Sequence, residues 1–352
     1  MRIEPTLDSV SLMELLRGQY GLAATGLTFV PFGMYSWSYV AACGDDQRAF
    51  VKLVRPSSAL GAGVSEMPLM AALAERAVPV PRPIARRDGR FSSAFNGYEA
   101  QVFEYIEGRN LENETAWPDE LYGRIADLVA AVHASTSAVG PLVKRVEDYE
   151  LPFIGPLLET VAAIEAGAEL PAGDDLTLAR LCELVIPRGP ELRRAVGRLE
   201  ELRDRARERD SDKVVCHTDI WGSNLIQAPD GTLYLLDWNG ALLGPPECDL
   251  FMFAGTVFFP ADRFDWFLER YEAVFRQVLL DARTFGFYFY RRNLEDLAAL
   301  VASIAERRTD ALGSAETLAV AGRLLASFPR LEARIDHVAD VLDKAGGPRE
   351  PR

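Results

Sequence analysis

Over the first hundred residues, apolar and polar positions alternate in short runs, the period of strands buried on one face. "LTFVPF" and "SYVAA" are two such runs flanking a small loop, and "CGDDQ" turns the chain into "RAFVKLV". Asn96-Gly97, between "RFSSAF" and "YEAQVFEYI", marks a second hairpin, because the favoured two-residue turns need positive φ. Between the hairpins "SEMPLMAALAERA" reads as a helix, with Ser65 as N-cap and Pro68 in the first turn, where a missing N–H is tolerated. "VPVPRPI" then carries the chain in extended form to the next strand.

Beyond Gly108 the period becomes helical. "PDELYGRIADLVAAVHAST" places Leu121, Ile125, Leu128 and Val132 on one stripe. "PELRRAVGRLEELRDRARERD" reads as a charged, solvent-facing helix, and Phe264 to Leu280 and Phe285 to Ile304 as buried or half-buried helices. The shift near Glu104–Gly108 predicts an α+β chain. A small antiparallel sheet with one helix occupies 1–103, a connection 104–108, a large mainly helical lobe 109–345, and a disordered tail 346–352.

One stretch carries candidate chemistry. In "VVCHTDIWGSNLIQAPDGTLYLLDWNG", Val214 to Gly240, a short strand feeds the loop His217–Ser223, and a hairpin turns at "PDG". A hairpin returns the chain to its start, so Asn224 and Asp237 belong at one mouth, and Asp219 in the loop feeding it. Two carboxylates so close repel unless a cation or a raised pKa separates their roles. Carboxylate and amide oxygens with positions left for phosphates are how Mg²⁺ is usually held in phosphoryl-transfer sites, and a further acid can then orient a hydroxyl.

Composition narrows the classes. The chain has 352 residues, 49% of them hydrophobic, and a formal net charge of −14, which argues against a nucleic-acid backbone as partner. Cys43, Cys182, Cys216 and Cys248 form no CxxC pair, so neither a zinc site nor a disulfide framework is expected, and a reducing cytoplasm fits. The N-terminus lacks the basic-then-apolar order of a signal peptide, and the longest apolar run, "LFMFAGTVFFP", is too short to span a bilayer. A soluble, cytoplasmic protein without membrane contact is expected. With three histidines, His133, His217 and His337, a metal hydrolase is disfavoured, and His133 reads as a core histidine.

"HTDIWGSN" has the form His-x-Asp-x-x-x-x-Asn and is followed by "LLDW". This resembles the aminoglycoside phosphotransferase and choline kinase superfamily; "LLDWNGALLGPPECDLFMF" and "AFVKLV" look most like its spectinomycin phosphotransferase branch. The resemblance implies a bilobal protein-kinase-like fold. It makes Asp219 the catalytic base or hydroxyl-orienting acid, Asn224 and Asp237 the Mg²⁺ ligands, and Asp249 an acid that braces the catalytic loop; His217 reads separately as a residue that orients this loop. Asp249 reads equally well as a helix N-cap. Ser223 and Trp221 depart mildly from the family pattern, and neither removes a metal ligand. A protein kinase is disfavoured, since "WNG" follows Asp237 and only eleven residues separate it from Asp249.

For the nucleotide there is no G-x-x-x-x-G-K-[ST] run. "FGMYSWS", Phe32 to Ser38, is a loop that can offer backbone N–H groups and the Ser36 or Ser38 hydroxyl to phosphates. Lys52, flanked by apolar residues in a strand, needs a partner. Glu66 shares the inward face of Leu69, Met70 and Leu73, whereas Glu75 lies half a turn away, so an ion pair Lys52–Glu66 is expected to aim the ammonium at the phosphates. "VFEYIEGRN" resembles the family hinge, where a base would bond to the Glu104 carbonyl and the Ile106 amide. Backbone atoms do that work, so ATP and GTP are not distinguished.

Three functions remain open: an O-phosphotransferase of an aminoglycoside or aminocyclitol, a metabolic kinase of a simpler alcohol, sugar or amino alcohol, and a nucleotide-binding module without catalysis. A cationic small-molecule acceptor is favoured by the insert from Val146 to Pro187, which holds nine acids and one base, Arg180; a solvated acidic face is the alternative. Asp265, Glu269, Glu295 and Asp296 are further candidates for a substrate cleft.

Overall fold

The alternation in the N-terminal strands sorts side chains onto two faces of one sheet. The computed structural model describes residues 4–31, 36–44, 46–55, 66–114, 117–167, 176–209, 212–255, 261–276, 279–305 and 311–346. Five antiparallel strands, β1 (Ala24–Val30), β2 (Ser36–Cys43), β3 (Arg48–Val54), β4 (Ser92–Phe95) and β5 (Tyr98–Glu104), lie in the order β1-β2-β3-β5-β4. Tyr39, Ala41, Ala49, Val51, Leu53, Ala100 and Val102 are fully buried and cluster with Leu12 and Leu16, which lie in and just beyond helix α1 (Ser9–Leu15). The opposite face carries Ser38, Phe50, Lys52, Gln101 and Phe103. Each buried Val or Leu is worth roughly 1.5–3 kcal/mol, and a one-residue slip of β3 would drive Lys52 into the core, so the register is strongly fixed. The β4–β5 turn has Asn96 at φ 45° and Gly97 at φ 80°, the left-handed pair that the sequence demanded.

Helix α2 (Met67–Ala74) follows β3, with Glu66 at its N-cap position and Met67, Leu69, Met70 and Leu73 buried. Ser65, the expected cap, lies outside the described residues. Helix α3 (Asp119–Ala134) opens on Asp119 and Glu120, favourable charges for a helix N-terminus, and buries the Leu121–Ile125–Leu128–Val132 stripe. His133 is wholly buried, with Nδ1 2.8 Å from the Tyr271 hydroxyl.

Two compact units are assembled from separate stretches of chain: Met1–Val146, Lys213–Gly244 and Arg270–Arg276 in the first, and Glu147–Asp212, Pro245–Glu269 and Gln277–Arg352 in the second. The boundary expected at 104–108 falls inside the first unit. Backbone hydrogen bonds are the reason. Leu235 N–H donates to Pro79 O at 3.0 Å and Leu111 N–H to Leu225 O at 3.1 Å, which ties the hairpin after Lys213 to segments on both sides of that boundary.

The second unit is helical. Its longest helix, Ala282–Ala305, buries Phe285, Phe287, Phe289, Leu294, Leu297 and Val301 and packs against Gly189–Glu208. The latter is charged but not simply solvent-facing, because Leu192, Ala195, Val196, Leu199 and Leu202 form a buried helical stripe. Of the expected tail, Gly346 ends the helix Leu331–Gly346, and 347–352 lie outside the described residues. No single helix among the described residues is long and apolar enough to cross a membrane.

Candidate active site

In the first unit, strand β6 (Arg109–Asn110) precedes α3, and β7 (Val214–Cys216) leads into the loop that carries Asp219. The loop ends in a hairpin of β8 (Leu225–Gln227) and β9 (Leu233–Leu235), paired Leu225↔Leu235 and closed by Leu236 N–H donating to Asn224 O at 2.8 Å. That pairing sets Asn224 and Asp237 at one mouth. The Asn224 amide nitrogen donates to both the main-chain carbonyl of Asp219, at 2.9 Å, and its carboxylate Oδ2, at 3.0 Å. The three residues are therefore gathered as their spacing suggested.

The loop is held from several sides. His217 is fully buried; its Nε2 lies 2.7 Å from Leu236 O, and the Asp219 N–H donates to its Nδ1 at 3.3 Å. An Nε2-protonated ring satisfies both contacts, so this one side chain bridges the loop to the hairpin. Thr218 sits at φ 75° and Asp237 at φ 55°, and a β-branched residue in that region is strained. Asn110 donates to Ser223 O at 2.7 Å from the segment after β5. That segment also approaches the loop directly: a Cβ on Gly222 would lie 2.3 Å from Leu111 O, so only glycine fits. Asp249 belongs to the second unit, where it is buried inside the short helix Glu247–Leu250. The N-cap position there is Pro246, whose φ of −54° already starts the helix, so the N-cap reading of Asp249 fails.

Between the sheet's open face and the hairpin mouth lies a cavity of about 510 Å³. Ser38, Lys52 and Gln101 form a row across β2, β3 and β5 at its wall, and Asn224 and Asp237 line it from the hairpin. Ser36 also lines it, but Ser36 to Ser38, expected as part of the phosphate loop, belong to strand β2, where ladder pairing takes up their backbone; Phe32 to Tyr35 lie outside the described residues. Glu104, Tyr105 and Ile106 border the cavity at the end of β5. Their backbone is fixed where Glu104 N–H donates to Arg82 O at 2.9 Å, and the Arg48 guanidinium lies 4.2 Å from the Tyr105 ring centroid.

The partner of Lys52 differs from expectation. Its ammonium pairs with Asp237 Oδ1 at 2.8 Å, and the predicted Lys52–Glu66 ion pair is not formed. Helical period put Glu66 on the inward face, and it does line the cavity from the N-cap position of α2, but the ammonium pairs with Asp237 instead. Burial pushes the Glu66 carboxyl above its ordinary value; the charges of Lys52 and Arg145 offset this in part, and Asp237 adds to it. Lys52, Glu66, Asp237 and Arg145 thus form one electrostatic cluster.

Several of the acids expected to mark a cationic cleft pair with arginines within the second unit. Glu147 pairs with Arg291 at 2.8 Å, Glu150 with Arg207 at 2.8 Å, and Glu165 with Arg193. Asp296 pairs with Arg292 at 2.9 Å, Glu295 lies 4.0 Å from Arg291, and Asp265 accepts the Trp266 N–H. Glu159 and Glu183 are exposed, while Glu169, Asp174 and Asp175 lie outside the described residues.

Sequence reasoning missed Asn239, whose amide donates to Asp237 Oδ1 at 2.6 Å, and Arg145, which donates to Asn239 O at 3.3 Å. It also missed Asn110 and Gln101. The polar residue in "DWNG" was a usable signal for Asn239; nothing local marks Arg145.

The residues at the mouth fit a hard cation. Asn224 and Asp237 offer oxygen only, and because the Asn224 nitrogen is committed to Asp219, its amide oxygen is the atom turned away from that carboxylate.

A family model described as the phosphotransferase enzyme family matches residues 38–291. Protein StrN of Streptomyces griseus is 28% identical over 234 residues, 64% of this chain and 68% of that protein. Spectinomycin phosphotransferase APH(9)-Ia, in complex with ADP and spectinomycin, superposes with a TM-score of 0.72 at 17% identity, covering 93% of this chain and 99% of that one. Choline kinase LicA from Streptococcus pneumoniae superposes with a TM-score of 0.57 at 18% identity, covering 90% and 98%. The likenesses show a kinase-like α+β fold.

Proposed function

The chain belongs to the phosphotransferase enzyme family, and we propose that it moves the γ-phosphoryl group of ATP or GTP to a hydroxyl of an aminoglycoside or aminocyclitol antibiotic. The observation that carries this is the convergence of Lys52, Asn224 and Asp237 on one cavity, with Asp219 held by Asn224.

The nucleoside would enter along Glu104–Ile106, its base meeting the Glu104 carbonyl and the Ile106 amide. Lys52 would neutralise phosphate charge, supported by the Ser36 and Ser38 hydroxyls on the neighbouring strand. Mg²⁺, for which Asn224 and Asp237 are the ligands, supplies further charge neutralisation on the phosphates when bound. Asp219 orients the acceptor hydroxyl for in-line attack and receives its proton as the oxygen–phosphorus bond forms and the bond to the departing diphosphate breaks. In a loose transition state proton removal comes late, so orientation is the larger part of its role. His217 keeps the Asp219 backbone in place.

A second reading has support of its own. The pairing of Glu147, Glu150 and Glu165 with arginines takes away carboxylates that a polycationic acceptor would use, and a choline kinase shares the fold. That favours a metabolic kinase of a simpler alcohol, sugar or amino alcohol. Nucleoside diphosphate release measured with both acceptor classes separates the two, since turnover on one class alone decides it.

A further inference from the structure

Asp237 lies on a left-handed backbone, and its side chain is 48% exposed, so packing alone does not fix its carboxylate. Two donors converge on the same oxygen: Lys52 Nζ at 2.8 Å and Asn239 Nδ2 at 2.6 Å, both on Oδ1. Among the described residues no donor reaches Oδ2. An amide at position 239 matters, because a carboxylate there would set a second negative charge against Asp237.

Asn239 is itself held. The Arg145 guanidinium donates to its main-chain carbonyl at 3.3 Å, and the Arg145 carbonyl accepts from Leu243 N–H at 2.8 Å. Leu243 belongs to β10 (Leu242–Gly244), which pairs with β7, the strand that delivers Asp219. The contacts form a closed circuit from β7 through the loop and hairpin to Asp237, then by Asn239 and Arg145 back to β10. We propose that Asn239 and Arg145 are positioning residues of the phosphoryl-transfer site: they hold the Asp237 carboxylate in one orientation, with Oδ1 occupied and Oδ2 left to a metal–nucleotide. The inference rests on the phosphotransferase reading of this site and adds residues to which neither the sequence nor the family likeness assigns a role.

The test is calorimetric titration of ADP with and without Mg²⁺ into wild type, Asn239→Ala, Arg145→Met and Arg145→Lys, each checked for an unchanged melting temperature. In Asn239→Ala the Mg²⁺-dependent tightening of ADP should fall about tenfold, as for other residues that orient a metal ligand, while metal-free ADP affinity stays at the wild-type value. Arg145→Met should lose less in the same direction, and Arg145→Lys should recover part of that loss. An undiminished Mg²⁺ effect in Asn239→Ala would overturn the proposal. So would equal loss of metal-free and metal-dependent binding, the mark of a merely structural residue. If wild type itself shows no Mg²⁺ effect, the phosphotransferase reading of the site fails, and the positioning roles with it.

Discussion

The Asn224 side chain bonds to Asp219 twice, through the main-chain carbonyl at 2.9 Å and the carboxylate at 3.0 Å. One amide thus fixes the acid proposed to orient the acceptor and presents its own oxygen for a cation. Asn224→Asp separates these tasks. The new carboxylate remains a metal ligand but repels Asp219 where a donor had held it. Mg²⁺-ADP affinity should persist while turnover falls by at least about tenfold. Wild-type turnover would mean that the bond to Asp219 does not matter.

Asp219 and Asp237 should also part company. Asp219→Ala is expected to reduce turnover by about 10²–10⁴-fold, the usual range for a proton-handling group, and to leave nucleotide affinity intact. Asp237→Ala should weaken Mg²⁺-nucleotide binding itself. Equal loss of turnover and nucleotide binding in Asp219→Ala would remove its assigned role.

Glu66 gives a pH test. Burial raises its carboxyl above the ordinary value, so the fold prefers the protonated form. Its contribution to stability is complete below the unfolded-state value and is lost as pH rises through the raised one. Glu66→Gln should therefore match wild type near pH 4 and melt higher than wild type at neutral pH, in thermal scans without nucleotide. A Glu66→Gln protein that melts lower at neutral pH would restore the Lys52–Glu66 ion pair.

Gly222 is a packing test. Alanine would put its Cβ 2.3 Å from the Leu111 carbonyl, against backbone that cannot swing aside. Overpacking of this kind costs about 1–3 kcal/mol, read as a drop in the denaturation midpoint, and it should depress turnover as the loop moves. Unchanged stability and turnover would show that the segment after β5 does not set the loop.

What could be read from the sequence was local. Alternation in "RAFVKLV" put Lys52 opposite Val51 and Leu53, and Asn96-Gly97 set a hairpin that could take few other forms. The strand–loop–hairpin of 214–237 brought Asp219, Asn224 and Asp237 together, because a hairpin's register follows from its turn. Partners distant in the chain were not legible. Lys52 and Asp237 are 185 positions apart, and a helical period could offer only Glu66. The acids of the insert looked unpaired because Arg291, Arg207 and Arg193 follow much later or on another helix. Gly189–Glu208 was a different failure. Its Leu192, Val196 and Leu199 stripe was visible, but the density of charge drew attention to the outer face.

The most direct measurement is nucleoside diphosphate release with Mg²⁺-ATP and Mg²⁺-GTP across spectinomycin, several aminoglycosides, choline, homoserine and simple sugars, with Asp219→Ala as the blank. The site described above predicts release that requires one class of hydroxyl acceptor and vanishes in the blank, with an aminocyclitol or aminoglycoside as the acceptor used. Release that needs no acceptor, or that survives Asp219→Ala, would contradict it.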